Sequence, residues 1–431
     1  MEKIPANKLA KYISLASIGT LVEWYDLFVV GVAASLIWPT LFYPKGIGAA
    51  ALAASISTYG SIYFTRPIGA IIFGHFGDKI GRKTMLIWTL LLSSIGMIGM
   101  ALTPPFVSIG LLAPILILIF RLIQGIGLGG EYGGAATILI EYTANTNRRA
   151  YYSSFLQATV PLGALFAILG LFLGRTYMTA AEFATIGWRI LLGIGAVALI
   201  IGGFIRYVLM ESPLFQELLK KKEIEKAPVT TVLKEKWKTM ILLGLSWAYI
   251  VTIFAIIYFP TGLSYMASLK ISLGIIYSGL FAGAIGGIIG NIVGGRLGDI
   301  IGRKKVMIIS AILTAIFSYS YFPLVGIKIA ISIILANFLL NFSYFLGYGV
   351  VAAFFTEHFL TKYRYTGAGF SYQIAAIVTG IYTSLLLPTA IVVSRGIINA
   401  VPYIIVMSIS LVIIAILSLI PLKETKNISI S

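Results

Sequence analysis

Long apolar runs, broken by short charged or Gly/Pro-rich segments, make up the chain from residue 14 to residue 420. A helix crosses the bilayer core with about 20 apolar residues. Runs of that order recur at 14–38, 50–75, 84–102, 114–140, 151–173, 188–208, 239–263, 272–295, 306–322, 329–355, 367–388 and 400–420. The pattern predicts an all-α membrane protein of twelve transmembrane helices. The shortest run, 306–322, reads either as a span or as a buried, re-entrant segment. The longest polar stretch, Met210–Lys238, mixes Lys with Glu and predicts a solvated helix at the membrane surface.

Composition removes the soluble alternatives. Of 431 residues, 59% are hydrophobic and only 11% charged, too little charge to cover a water-facing surface. The net charge of +17 would suggest nucleic acid in a soluble domain, but here the basic residues sit in short loops. With the N-terminus inside, 24 of the 32 Lys and Arg fall on the inner side and six on the outer, while Arg66 and Arg121 lie within spans. Cytoplasmic loops carry such an excess. It predicts a multi-pass cell-membrane protein with an even number of spans and both termini cytoplasmic. Cysteine is absent, which excludes a disulfide framework, thiol catalysis and a Cys metal site. Met1–Lys11 is polar and basic and the first apolar run is long enough to span, so no cleavable signal peptide is expected.

The chain repeats itself. Gly77-Asp78-Lys79-Ile80-Gly81-Arg82-Lys83 recurs as Gly298-Asp299-Ile300-Ile301-Gly302-Arg303-Lys304, and Glu141…Arg149…Phe155 is echoed more weakly by Glu357…Arg364…Phe370. Two six-helix bundles follow, at 1–209 and 239–431, joined by a cytoplasmic linker at 210–238. An even number of spans in each gives both the same orientation. Parallel repeats of this kind are one transporter plan, with the solute site between the halves near the midplane.

The motifs carry a resemblance. Gly74-His75-Phe76-Gly77-Asp78-Lys79-Ile80-Gly81-Arg82-Lys83 and its second copy at 295–304 resemble the signature loop of the major facilitator superfamily, and Arg121…Gln124-Gly125…Gly129 resembles its fourth-span motif. Glu23-Trp24-Tyr25-Asp26, Arg66-Pro67-Ile68-Gly69, Gly129-Gly130-Glu131-Tyr132-Gly133-Gly134 and Glu211-Ser212-Pro213-Leu214-Phe215 narrow it to the metabolite:proton symporter family. Members of that family take up osmolytes such as proline and betaine, or organic acids such as oxoglutarate, citrate and shikimate. The resemblance implies the major facilitator fold, a proton-driven monomer with no cofactor, and a coupling role for the fourth-span arginine, Arg121.

An ionisable group within a span is costly and is a functional candidate by default. Five lie deep: Glu23, Asp26, Arg66, Arg121 and Glu131. At about 1.5 Å per residue, Glu23, Asp26 and Arg121 fall near mid-membrane, and Arg66 and Glu131 in the inner third. A proton carrier needs a carboxylate whose affinity for protons changes as an arginine approaches or leaves. Asp26 with Arg121 is the candidate coupling pair, Glu23 the second carboxylate. Arg66 and Glu131 form either a further coupling pair, or Arg66 holds a substrate carboxylate in its planar fork.

The second half has almost no deep charge. Its polar candidates for solute binding are Tyr258, Asn337, Asn341, Tyr344 and Gln373, with Gln157 from the first half. Asn337, Asn341, Tyr344 and Tyr348 share one helix face; such a face either lines a cavity or glues helices together. Asp78, Arg82, Asp299 and Arg303 in the repeated loops are candidate gating residues, locking helix ends when the inner side is shut. His75 is either a proton carrier or a helix-end contact, and two histidines leave no His-based metal site. The expected function is proton-coupled symport of a small carboxylate-bearing metabolite or osmolyte. An uncoupled facilitator or exchanger, a proton-coupled sugar carrier and a solute-sensing receptor are the alternatives. An enzyme would need a clustered nucleophile or metal set, and the sequence offers none.

Overall fold

The structure, a computed structural model, describes residues 6–207, 213–221, 223, 225–259 and 261–430. Every span becomes a helix. Span 1 runs Ala6–Val32 and continues through a π-helical turn, Ala33–Ile37, into Trp38–Leu41. Span 2 is Gly48–Gly60 and Ile62–Ile80, parted at Ser61. Spans 3, 4 and 5 are Arg82–Leu102, Leu112–Tyr142 and Arg149–Tyr177, and span 6 enters through a π turn, Phe183–Gly187, before Trp188–Tyr207. In the second half, span 7 is Pro228–Ile253, a π turn at Phe254–Tyr258, and Thr261–Ser268. Spans 8 to 10 are Leu273–Ile301, Arg303–Gly326 and Ala330–Thr356. Span 11 is Arg364–Ile381 with a π turn, Tyr382–Leu386, and Leu387–Val393, and span 12 is Val401–Leu419.

The short run at 306–322 is the middle of a full helix, Arg303–Gly326, long enough to cross, so it is a span and not re-entrant. The lysine-rich segment differs from a single surface helix. Pro213–Lys221 forms a short linker helix, and Pro228 then opens span 7 itself, a position where its fixed φ and missing N–H suit a helix start. Lys234, Lys236 and Lys238 therefore ride on an extension of that span. Residues 210–212, 222 and 224 of the segment lie outside the described residues.

The two halves repeat in detail. Gly81 and Gly302 each make the turn between helices at φ 122° and 106°, a conformation that costs glycine little, so spans 2 and 3, and 8 and 9, meet across a single residue. The π turns of spans 1 and 7 fall 221 positions apart, the same offset as the repeated loop. Within each half, glycine lets backbones touch. A Cβ at Gly129 would sit 1.9 Å from the Arg66 carbonyl oxygen, and one at Gly294 1.9 Å from that of Leu346. Spans 2 and 4, and 8 and 10, are drawn together there.

The halves meet mainly along spans 5 and 8 and along spans 2 and 11. They touch at both ends. At the basic end, which carries the repeated loops, charged groups cross the boundary. At the far end the Ser57 hydroxyl donates to the Ser384 carbonyl at 2.7 Å, and Phe28 packs on Phe259 with ring centroids 4.6 Å apart. The halves are thus in contact at both ends. Between the halves remains a cavity of about 10 Å³, lined by residues that include Trp24, Trp247, Phe254, Tyr344 and Tyr348. That is the space of about one water.

Candidate functional site

Three positions of span 1, Thr20, Glu23 and Asp26, recur every third residue, so Glu23 neighbours each of the others on the helix surface while the set winds round the axis. Each meets a different partner. At the upper level Asp26 Oδ2 lies 3.6 Å from Arg121 Nη1 of span 4. That separation is long for a hydrogen bond, and Gln124 fills the gap. Its amide nitrogen donates to Asp26 Oδ2 while its oxygen accepts from Arg121 Nη1 at 2.6 Å. Arg121 Nε donates to the Tyr59 carbonyl at 3.2 Å, and its guanidinium stands 5.0 Å from the Tyr59 ring. All of these side chains are buried. Asp26, Arg121 and Gln124 form one closed unit inside the N-terminal half.

One turn inward, Glu23 Oε1 pairs with Arg66 Nη2 of span 2 at 3.0 Å. Arg66 Nε donates to Gln373 Oε1 of span 11 at 3.1 Å, and Gln373 Nε2 donates to the Gly129 carbonyl at 3.1 Å. This pair, unlike the first, reaches across the boundary between the halves. The arrangement departs from the pairing read off depth along the chain. Arg66 meets Glu23, not Glu131, because the Gly129 contact seats span 2 beside span 4 and aims the long guanidinium arm at span 1. Glu131 instead accepts from Thr20 at 3.4 Å, a turn below Glu23.

Facing Arg66 is a column of rings. Tyr132 stacks on Tyr372 at 3.5 Å between centroids, Tyr372 on Trp247 at 3.8 Å, and Trp247 on Tyr348 at 5.9 Å. Hydrogen bonds fix their tilt. The Tyr348 and Tyr372 hydroxyls are 2.8 Å apart, and Trp247 Nε1 donates to the Tyr372 carbonyl at 3.1 Å. Gln157 Nε2 donates to the Tyr132 hydroxyl at 3.3 Å and to the Tyr348 carbonyl at 3.1 Å. Tyr132 and Gln157 belong to the first half, the other rings to the second. The column therefore bridges the halves.

The candidates for solute binding thus divide. Arg66, Gln157 and Gln373 are in this centre, and Tyr344 lines the residual cavity. Tyr258 donates to the Leu280 carbonyl at 2.7 Å and turns its ring toward Phe28, 6.3 Å away. Asn337 and Asn341 lie apart, inside the C-terminal bundle. Asn337 donates to the Ile333 carbonyl at 2.8 Å and accepts from Tyr321, while Asn341 donates to the Asn337 carbonyl at 2.9 Å and accepts from Tyr344. Their one-faced spacing is real, but the face turns partly toward span 8, where Gly279 and Gly283 leave room. Tyr132, Trp247 and Tyr372 went unread because a ring within an apolar run looks the same whether it faces lipid or a partner. Gln124 had a signal: an amide on the same face as Arg121.

The basic end carries two matched sets of charge. Asp78 accepts from the Tyr365 and Thr366 amides, at 3.3 and 2.8 Å, in the first turn of span 11. Asp299 accepts from the Ala150 and Tyr151 amides, at 3.2 and 2.9 Å, in the first turn of span 5. Each aspartate thus caps a helix of the opposite half, where exposed N–H groups and the dipole favour an anion. Each set also holds a glutamate between two arginines. Glu141 meets Arg82 of its own half and Arg364 of the other at 2.8 Å; Glu357 meets Arg303 at 3.1 Å and Arg149 of the other half at 2.8 Å. Phe215 of the linker helix lies 5.0 Å from the Arg82 guanidinium. The four candidate gating residues are all here. Glu141, Arg149, Glu357 and Arg364 complete the sets, and their signal in the sequence was the weaker repeat. His75 stands apart, edge-on to Phe76.

Two related six-helix bundles closing over a buried polar centre define a membrane transport protein, not an enzyme. The chain belongs to the Major Facilitator Superfamily, whose family model matches residues 24–381. It is 34% identical over 382 residues to an inner membrane metabolite transport protein of Escherichia coli K12, covering 87% of this chain and 86% of that one. To the shikimate transporter of the same organism it is 31% identical over 388 residues, covering 88% and 87%. A solved structure of a proton:xylose symporter bound to 6-bromo-6-deoxy-D-glucose matches with a TM-score of 0.77 over 99% of this chain and 98% of that one. At 17% identity that likeness speaks for the fold alone. The protein is a multi-pass metabolite transporter of the superfamily.

Proposed function

We propose that this transporter is a proton-coupled symporter for a small metabolite or osmolyte bearing a carboxylate, working as a monomer by alternating access. The supporting observation is the pair of buried ion pairs one turn apart on span 1. One is sealed within the first half, and the other is shared with the second half through Gln373. Arg66 offers a fork for a carboxylate, in competition with Glu23. The ring column of Tyr132, Tyr372, Trp247 and Tyr348 must part to admit the rest of the solute, and it supplies flat apolar faces. Relatives that carry shikimate, and the resemblance to betaine and proline carriers, agree with a carboxylate.

Charge balance gives the reason for coupling. The two ion pairs set two carboxylates, Asp26 and Glu23, against two guanidiniums, and a third carboxylate, Glu131, lies one turn below them. An incoming carboxylate would leave one uncompensated negative charge in a low-dielectric site, and such a charge is strongly unfavourable. A proton on Asp26 or Glu23 restores neutrality, so solute and proton bind together. Asp26, loosely held to Arg121 through Gln124, is the principal proton site, with Glu23 the second. Glu131 lines the lower end of the same face. Asp78, Arg82, Asp299 and Arg303 shut the basic end, which faces the cytoplasm, in line with its excess of Lys and Arg. Both termini then lie inside the cell.

Reconstituted protein tests this. Organic acids, amino acids, betaines and sugars are screened by thermal shift, and the ligands found are assayed for uptake with and without an inward proton gradient. Asp26→Asn is expected to keep exchange of trapped label and to lose pH-driven accumulation. Preference for a neutral sugar, or accumulation by Asp26→Asn at the parent level, would overturn the reading.

A further inference from the structure

Two tyrosines of span 2 stand between the ion pairs, and their hydroxyls have no part in either. Tyr59 and Tyr63 are one helical turn apart and buried, at 0% and 1% exposure. The Arg121 guanidinium lies 5.0 Å from the Tyr59 ring, and the Arg66 guanidinium 6.0 Å from the Tyr63 ring. The charged groups facing them are Asp26 and Glu23 from span 1, Arg121 from span 4 and Arg66 on span 2 itself. Tyr59 is in electrostatic contact with Tyr63 and Asp26, and Tyr63 with Tyr59 and Glu23. The order along the face is Asp26, Tyr59, Tyr63, Glu23.

The rings alone would account for the contact with the arginines, since a cation rests on any aromatic face. Phenylalanine would serve that purpose as well. Both positions instead carry a buried hydroxyl; the two hydroxyls are in hydrogen-bonding contact with each other, and neither has a further partner among the described residues. A buried pair of hydroxyls that satisfies only itself, set between two carboxylates, is under-satisfied and asks for a functional reason.

We infer that the Tyr59 and Tyr63 hydroxyls relay a proton between Asp26 and Glu23, and so transmit substrate binding at Arg66 to the proton site at Asp26. The inference rests on the proton-coupled reading above. When a solute carboxylate takes Arg66, Glu23 loses its counter-charge and becomes a proton acceptor. Asp26 gives up its carboxyl proton to the Tyr59 oxygen as Tyr59 passes its own proton to Tyr63 and Tyr63 passes its own to Glu23. One O–H bond breaks and one forms at each hydroxyl. Both phenols end as they began, and the net change is one proton moved from Asp26 to Glu23. The vacated Asp26 re-pairs with Arg121.

Tyr59→Phe and Tyr63→Phe test this, singly and together, because they delete only the hydroxyls and keep the rings. Each variant is reconstituted and assayed for exchange of trapped label, and for proton uptake on substrate addition with a pH-sensitive dye. A serial relay predicts that either single variant exchanges substrate within about twofold of the parent while proton uptake per substrate falls at least tenfold. A merely structural hydroxyl would change both or neither. Parent-level proton uptake in both single variants, with Asp26→Asn uncoupled in the same assay, refutes the relay and leaves the proton site standing. Loss of exchange together with coupling in folded single variants also refutes it, assigning the hydroxyls to binding. Full coupling in Asp26→Asn removes the proton-site reading itself.

Discussion

Glu141→Gln gives the most direct measure of what holds the two halves together at the basic end. Glu141 is fully buried between Arg82 and Arg364, the one from its own half and the other from across the boundary. Neutralising it leaves two buried guanidiniums facing a single remaining carboxylate, Asp78, 3.5 Å from Arg82. Removing one partner of a buried pair costs roughly 3–5 kcal/mol. Glutamine keeps an acceptor oxygen, so the lower end, about 3 kcal/mol, applies. The penalty exists only while the end is closed, because opening hydrates both arginines. The closed-to-open ratio at this end should therefore fall by roughly 100-fold, at about 1.4 kcal/mol per factor of ten. The chain has no cysteine, so a single reporter can be read without background. Ser154, buried against Gly295 of span 8, is a suitable place for Ser154→Cys. Its alkylation by a membrane-impermeant thiol reagent applied from the basic side should accelerate at least tenfold in the Glu141→Gln background. An unchanged alkylation rate, with substrate binding intact, would refute the claim that these charges set the equilibrium.

Two further predictions follow from the centre of the molecule. Arg66→Lys keeps the charge and the pairing with Glu23 but loses the planar fork, so the thermal shift produced by a carboxylate ligand should shrink while the unliganded melting temperature moves little; an unaltered ligand shift would remove Arg66 from the substrate site. Gly129→Ala places a methyl group 1.9 Å from the Arg66 carbonyl oxygen, and overpacking of this kind costs typically about 1–3 kcal/mol. A lower melting temperature and loss of ligand response are expected together, and a fully active, equally stable variant would contradict the close contact of spans 2 and 4.

The spans were legible because lipid leaves little choice. A helix in hydrocarbon must satisfy its own backbone and present apolar side chains, so their number and rough extent stand in the chain itself. The repeat at an offset of 221 was equally plain, down to the turn glycines Gly81 and Gly302. Less visible were the places where a helix departs from uniformity. Ser61 parts span 2, and π turns interrupt spans 1, 6, 7 and 11. Hydropathy does not register a change of helical pitch.

The centre was half legible. Glu23, Asp26, Arg66, Arg121 and Glu131 stood out because a charge in lipid is too costly to be casual. Their pairing was not, since distance along a helix says nothing of its rotation about its axis or of its neighbour. Asp26 and Arg121 do meet, but through Gln124; Arg66 turns to Glu23, and Glu131 to Thr20. Of the ring column only Tyr348 stood out, by its spacing with Asn337, Asn341 and Tyr344; Trp247 and Tyr372 gave no sign, because a tyrosine or tryptophan among leucines is equally at home against lipid or against another ring. Sequence alone determined that this chain spans a membrane in two like halves and carries charges it must have a use for. Which charges touch, which rings pack beside them, and that the halves meet at both ends depended on how the helices rotate and pack against one another. Those arrangements are decided by close backbone contacts such as Gly129 against Arg66, and they arise only when the whole bundle comes together.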